Sequence, residues 1–76
     1  MNPTPVEMAI LRDLHPDEHC DNVPGNIADN VGYHEKSVSR SLSNLKRDGL
    51  VRNKGRGVWT LTDDGLEESE ELRNEN

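Results

Sequence analysis

The cationic residues of this chain concentrate in one short segment, and that concentration is the feature most able to support chemistry. Residues 36–56 hold seven of the nine Lys and Arg residues and a single acid, Asp48, while the rest of the chain holds two cations and fourteen acids. Because the whole chain carries a formal net charge of −6, the segment is a basic island in an acidic protein. Such a surface attracts polyanions, and here it points to DNA.

One face of a predicted helix over residues 35–48 carries three of these cations. Val38, Leu42 and Leu45 recur at the spacing i, i+4, i+7 and form its apolar core face. The opposite face has no acid, and in the major groove Arg can pair with guanine, Asn with adenine, and Ser with bases or phosphates. The alternative is a solvated helix face, which would normally mix Glu with Lys. The candidate DNA-binding residues on this face are Lys36, Ser37, Ser39, Arg40, Ser43, Asn44 and Arg47.

A short basic hairpin is predicted after this helix. The run Gly55-Arg56-Gly57 indicates a turn between two strands. Lys54 and Arg56 lie at this flexible tip, where they can contact phosphates or enter a narrow minor groove. We therefore predict a DNA-contacting wing over residues 52–58. A plain type I′ or bulged turn with incidental charge is the alternative.

Three more helices are predicted to position the basic helix and the hairpin. Residues 4–7 form a Thr-Pro-Val-Glu start signal with a capping box, and His15 before Pro16 ends that first helix. A second helix is expected from about residue 24 to residue 30, with Gly32 as its stop. Thr62 caps a last, very acidic helix, whose early acids favour the positive end of the helix dipole.

Several segments in this order resemble the winged helix-turn-helix domain of DNA-binding proteins, over about residues 5–72. The combination is similar to small haloarchaeal transcriptional regulators of the phi-H phage repressor type. The segments that carry the resemblance are residues 27–32, residues 37–40, Leu45 with residues 49–51, and residues 55–65.

The resemblance implies an α+β fold with three or four helices and a short two- or three-stranded antiparallel wing. The chain length predicts one domain over residues 1–76. The resemblance implies residues 35–48 as the major-groove recognition helix and Arg56 at the wing tip. The implied function is sequence-specific binding of double-stranded DNA and regulation of transcription, by repression. Two features depart from the family pattern: Ser41 stands where relatives often have a bulky or basic residue, and the last helix has few apolar residues.

Double-stranded DNA is the expected partner, and we expect the protein to bind it as a homodimer. A single small module buries limited surface, and DNA operators are often palindromic, which matches the two-fold symmetry of a dimer. The candidate interface residues are Met8, Leu11, Leu66 and Leu72.

The composition argues against several other functions. A chain of 76 residues with 30% hydrophobic residues and no Phe has a small core, so we expect no catalytic cleft, no cofactor and no pocket for a small-molecule effector. His15, His19, Cys20 and Asp21 cluster in one loop, and His with Cys can hold zinc. Polar loop residues are the commoner explanation of such a cluster, and a complete set of four well-placed ligands is not evident, so we predict no metal site. No apolar run approaches the ~20 residues of a membrane helix. We expect a soluble cytoplasmic protein.

The excess of acids and the preponderance of Arg over Lys, six to three, suggest a halophilic protein from a high-salt cytoplasm. An ordinary acidic protein with chance Arg enrichment is the alternative. The main functional rival is a winged-helix module that binds protein through its acidic faces. An RNA-binding winged helix ranks lower because the chain offers few exposed aromatics for stacking bases, and an enzyme ranks last.

Overall fold

The computed structural model describes residues 3–74, which form four helices and one hairpin. The predicted α+β class is confirmed, with the helices surrounding one core and a two-stranded antiparallel sheet at one side. The elements in chain order are α1 (Pro5–Asp13), α2 (Pro24–Val31), α3 (Glu35–Arg47), β1 (Val51–Gly55), β2 (Val58–Leu61) and α4 (Asp63–Asn74).

The first helix starts with the predicted reciprocal cap. The Thr4 hydroxyl accepts a hydrogen bond from the Glu7 amide at 3.2 Å, and the Glu7 carboxylate accepts one from the Thr4 amide at 3.0 Å. Two amides that the helix itself cannot satisfy are thereby paired. At the other end, Gly32 stops α2 in the left-handed conformation with φ +77°, as its sequence position predicts.

The core forms where α1, α2 and α3 meet. Val38, Leu42 and Leu45 of α3 have no exposed surface, so the predicted apolar face is confirmed. Each such side chain contributes about 1.5–3 kcal/mol by leaving water, and this fixes the rotation of α3 about its axis. The other buried aliphatic residues are Ile10, Leu11, Leu14, Ile27, Ala28, Leu50, Val51 and Leu72.

The last helix packs against α1 through small and apolar residues. Ser69 is fully buried, and its hydroxyl donates a hydrogen bond to the Leu11 carbonyl at 2.5 Å. Leu11 is 0% exposed and Leu72 is 5% exposed. Placing these two leucines in a dimer interface was therefore wrong, because the chain's own core already covers them. Met8 and Leu66 are half-buried and stay predicted interface residues.

Thr62 joins α4 to the end of α3. Its hydroxyl donates to the Gly49 carbonyl at 2.6 Å and accepts from the Gly65 amide at 3.0 Å, so the predicted cap also ties two elements together. A Cβ on Gly65 would lie 1.8 Å from the Leu50 carbonyl oxygen. Only glycine fits there, and this close approach seats the base of the hairpin on α4.

The hairpin has a bulge and a tight turn. Val51 pairs with Leu61, and the register shifts between Asn53 and Gly55. Arg56 and Gly57 form a two-residue turn with φ +56° and +75°, the signs that a type I′ turn requires. The predicted wing over residues 52–58 is therefore a real hairpin tip.

A third segment extends the sheet by one residue. Asn22, in the loop between α1 and α2, donates to the Trp59 carbonyl at 3.0 Å and accepts from the Trp59 amide at 2.7 Å. Trp59 is half-buried and packs against the core, together with Leu61. This bridge fastens the acidic loop to the wing.

Candidate nucleic-acid interface

The predicted DNA-binding face of α3 points to solvent. Because Val38, Leu42 and Leu45 are buried, the opposite side of the helix must be outside. Ser41, the residue that departs from the family pattern, is only 9% exposed, so its small size suits a position at the edge of the core. Asn44 is half-buried, and the exposed members of the predicted set are Lys36, Ser37, Ser39, Arg40, Ser43 and Arg47.

The cations of this face form no ion pair in the described part of the chain. Within residues 3–74, no carboxylate oxygen lies within 4.0 Å of the charged nitrogens of Lys36, Arg40 or Arg47. Glu35, the acid of the first turn, turns toward α2: its Oε1 lies 3.4 Å from where Gly25 would carry a Cβ. The positive charge of α3 is therefore available to a ligand.

The start of α3 adds further donors to the same surface. His34 occupies the N-cap position, and its side chain makes no capping hydrogen bond. The first-turn amides, with Lys36 and Ser37 beside them, suit a phosphate oxygen. Ser43 Oγ donates to the Ser39 carbonyl at 3.2 Å, so its hydroxyl can still accept a hydrogen bond from outside.

The two predicted wing cations differ from each other. Arg56 is exposed at the turn and holds a left-handed backbone, φ +56°, a conformation that costs a non-glycine residue about 1–2 kcal/mol. Lys54, at the bulge, donates to Asp21 Oδ2 at 2.9 Å. Only Arg56 therefore presents its full charge to an incoming polyanion.

Asp21 forms a polar cluster with side chains of the wing. Hydrogen bonding from the Thr60 hydroxyl and from Lys54, with the nearby charge of Arg52, lowers the pKa of the Asp21 carboxyl. Asp21 itself has φ +57°, a conformation that Asp tolerates better than most residues. The cluster links the acidic loop to both strands of the wing.

Three residues on or near this surface, Arg52, Tyr33 and Asp21, were not among the predicted DNA-binding residues. Arg52 is exposed opposite Thr60 in the sheet register, and strand alternation after the buried Val51 could have indicated it. Tyr33 is 40% exposed in the turn between α2 and α3, where an aromatic side chain in a turn is a weak signal. Asp21 lies 33 residues from Lys54 in sequence, and no local pattern announces their contact.

The loop between α1 and α2 uses its polar residues in internal contacts. His19 Nδ1 lies 2.8 Å from Asp13 Oδ1, and Asn30 donates to the other oxygen of Asp13 at 3.3 Å. His15 is buried, and its Nδ1 accepts from the Asp17 amide at 3.0 Å. In residues 3–74, no group of three or more His, Cys, Asp or Glu residues is arranged to hold a metal ion.

Two further observations concern cavities and membranes. A cleft of about 460 Å³ opens to solvent between Arg12 of α1, Val31 of α2 and Arg73 of α4. Arg73 already pairs with Glu18 at 3.1 Å across that cleft. Within the described part of the chain, no helix has the length and apolar character needed to span a bilayer.

The sequence itself has few informative relatives. No protein-family model matches it. An uncharacterized protein of Methanocaldococcus jannaschii is 40% identical over 40 residues, which is 53% of this chain and 15% of that protein.

Solved structures are more informative about the fold. A transcriptional regulator of Thermotoga maritima superposes with a TM-score of 0.78 at 22% identity, over 95% of this chain and 53% of its own. MepR, a transcription regulator of the Staphylococcus aureus multidrug efflux pump MepA, gives 0.78 at 21% identity, over 96% and 57%. This chain thus spans about half the length of these regulators.

An enzyme also contains a segment of this shape. An O-methyltransferase from neocarzinostatin biosynthesis matches with a TM-score of 0.68 at 30% identity, over 93% of this chain but only 22% of the enzyme. The identities to the regulators are low, so those likenesses concern architecture. The chain has the winged-helix fold that these transcriptional regulators share.

Proposed function

We propose that this protein binds double-stranded DNA sequence-specifically and regulates transcription as a repressor. One observation carries the proposal: α3 buries three aliphatic residues completely and exposes Lys36, Arg40 and Arg47 without any carboxylate partner among residues 3–74. An acidic protein that leaves these cations unpaired on one rigid helix has a surface suited to a polyanion. The winged-helix regulators that share its fold support the same function.

The proposed mechanism places α3 in the major groove. A helix of this width fits the groove, where Arg40 and Arg47 pair with guanine edges or phosphates and Asn44 with adenine. Lys36 and Ser37 meet phosphate at the amino end of the helix. Base contacts supply the specificity, and phosphate contacts supply most of the affinity.

The wing makes the second proposed contact. Arg56 stands at the end of the hairpin, where it can reach the adjacent backbone or a narrow minor groove. Its left-handed backbone supports this role, because Asn or Gly would form the same turn with less strain. Lys54 contributes once it is released from Asp21.

A homodimer on an inverted repeat is the proposed assembly. Met8 and Leu66 are half-buried and offer apolar surface on α1 and α4. Repression follows if occupancy of the operator excludes the transcription machinery. Light scattering in high salt, with and without DNA, measures the assembly, and a monomeric mass in both conditions would contradict it.

We also propose that the protein works in a salty cytoplasm and is akin to haloarchaeal regulators of the phi-H repressor type. The exposed acids of α4 and of the first loop support this, since acidic surfaces keep proteins hydrated at high salt. At ~1 M salt the Debye length is about 3 Å. The acids outside the basic face then no longer repel DNA at a distance.

No catalytic role is proposed. The likeness to the O-methyltransferase covers 22% of that enzyme, so it concerns one structural segment of a longer chain. No cofactor, metal or small-molecule effector enters the proposed mechanism, and the Arg12–Arg73 cleft plays no part in it.

Selection of bound duplexes from a random pool at molar KCl tests the proposed function. We expect enrichment of a short inverted repeat by the wild-type protein. The Arg40→Ala variant should enrich no sequence or a relaxed one, whereas Lys46→Ala removes one charge from the same helix outside the predicted face and should keep the motif. A pool that stays random with the folded wild-type protein would contradict sequence-specific DNA binding. A protein-binding module would give that result.

A further inference from the structure

One carboxylate of the loop between α1 and α2 pairs with a cation of the wing. Asp21 Oδ2 lies 2.9 Å from Lys54 Nζ, and both side chains are 42% exposed. Among the ion pairs within residues 3–74, this is the only one that involves a predicted DNA-binding cation. The Lys54 ammonium therefore already has an anionic oxygen at the distance that a DNA phosphate oxygen would take.

The backbone holds this carboxylate at a fixed place. Asp21 has φ +57°, and the next residue, Asn22, makes two hydrogen bonds with Trp59 at 3.0 and 2.7 Å. Trp59 packs on the core. The carboxylate is thus anchored to the wing through its own chain neighbour, and it does not depend on Lys54 to stay there.

We propose that Asp21 is a positioning residue that holds the Lys54 ammonium in the free protein and yields it to a DNA phosphate on binding. The phosphate takes the place of the carboxylate, so the contact with Lys54 is an exchange of one anion for another. Asp21 then stays close to the DNA backbone without Lys54, with the Thr60 hydroxyl and the nearby charge of Arg52 still beside it. This inference rests on the proposed DNA-binding function, and it adds that Asp21 lowers the affinity of the protein for DNA.

The exchange has a measurable dependence on salt. The lost Asp21–Lys54 pair and the repulsion between Asp21 and phosphate both oppose binding, and both are screened by ions because the site is exposed. Their cost is therefore largest at low salt and fades near ~1 M salt. Neutralising Asp21 should raise affinity mainly at low salt and steepen the salt dependence.

The test compares the variants Asp21→Asn and Glu68→Gln on the duplex that the wild-type protein selects. Asn keeps the shape of Asp and accepts a left-handed backbone, so the fold is preserved, and thermal unfolding checks this. Glu68→Gln removes the same charge on α4. We expect D21N to bind about two- to fivefold more tightly than wild type at low salt, with the gain lost at ~1 M salt, and E68Q to match wild type.

A double-mutant cycle with Lys54→Gln assigns the effect to the pair. In the K54Q background, D21N should gain clearly less affinity than it does in the wild-type background. Wild-type binding with an unchanged or weaker D21N would overturn the role of Asp21 and leave the proposed function intact. A gain equal in both backgrounds, or equal for E68Q, would show a general charge effect and overturn it too. Absence of duplex binding by both wild type and D21N would overturn the proposed function and this inference together.

Discussion

The cations of α3 and those of the wing differ in whether a carboxylate of the protein already pairs with them. On α3, Arg40 and Arg47 have no carboxylate within 4.0 Å among residues 3–74, and the helix is held by aliphatic side chains with no exposed surface. In the wing, Lys54 is paired with Asp21 at 2.9 Å. A count of positive residues treats these regions as equal, although within residues 3–74 the predicted cations of α3 are all unpaired and one of the two predicted wing cations is paired.

Different contacts also hold α3 and the wing in place on the rest of the protein. Burial orients α3, whereas the wing is positioned by backbone contacts at its base: the Asn22–Trp59 bridge, the Thr62 hydroxyl and the close approach of Gly65 to Leu50. Burial can be read from a periodic pattern, but these contacts cannot. We therefore expect α3 to dominate DNA affinity and the wing to adjust it.

The largest effect is expected from a change at the base of the wing. Gly65→Ala places a methyl group 1.8 Å from the Leu50 carbonyl oxygen, and the helix or the strand must move. We expect a loss of at least about 3 kcal/mol in the free energy of unfolding. Urea titration measures this loss through the fluorescence of Trp59, the chain's only tryptophan.

Gly25→Ala is the matched control for that change. Gly25 also lies in the first turn of a helix, but the nearest atom to its Cβ position is a flexible carboxylate oxygen at 3.4 Å. Alanine there should be neutral or stabilise α2 by up to about 1 kcal/mol. Equal destabilisation by the two substitutions would show that the contact with Leu50 does not seat the wing.

The second effect compares the two regions directly. Arg40→Ala should weaken binding to the selected duplex by about 5- to 150-fold, the range of one lost bidentate base contact. Lys54→Ala should cost less than about fivefold, because its phosphate contact replaces an existing pair with Asp21. Fluorescence anisotropy at one salt concentration measures both, and equal losses would remove the distinction between α3 and the wing.

The third effect separates stability from binding within the wing. Arg56→Asn puts the residue preferred in type I′ turns at φ +56°. We expect a gain of up to about 1 kcal/mol in unfolding free energy and a loss of affinity of about two- to fivefold. Thermal unfolding and anisotropy on the same samples test this, and a variant that is no more stable would argue against strain at Arg56.

The smallest effect concerns pH. The folded-state pKa of Asp21 lies below its ordinary value of 3.8, so its contribution to stability is complete above that value. The contribution is lost as pH falls through the lowered folded-state pKa, because protonation removes the charge that the Thr60 hydroxyl and Lys54 stabilise. Between about pH 5 and about pH 2, the unfolding temperature of wild type should fall slightly more than that of D21N. If the unfolding temperatures of wild type and D21N fell equally with pH, the stabilising role of the Asp21 carboxylate would be contradicted.

Much of the fold was predictable because its signals are local. The capping box at Thr4, the stop at Gly32 and the buried face of α3 each follow from residues close together in sequence, and each is confirmed. The class of fold was implied by the resemblance of several segments to the winged helix-turn-helix domain, and the structure confirms it. The sequence also indicated which side of α3 faces solvent, since three buried positions determine the opposite face.

The remaining features depend on contacts between distant residues. The sequence offered Leu11 and Leu72 as candidate residues of a dimer interface, but the chain's own core buries both. In the structure Ser69 packs α4 closely on α1 through its bond to the Leu11 carbonyl. The pairing of Lys54 with Asp21 arises in the same way, since only the folded loop brings the two together. Such contacts form only when the helices and the hairpin pack together, so no local sequence pattern predicts them.

We expect the exposed face of α3 to dock on duplex DNA, and amide chemical-shift mapping identifies the surface that does so. The ¹⁵N–¹H spectrum of the wild-type protein would be followed while the selected duplex is added at molar KCl. The largest shifts should fall in Glu35–Arg47 and at Arg56, with small changes in Asp63–Asn74. Shifts concentrated on the acidic α4, or a spectrum unchanged by excess duplex, would contradict this docking.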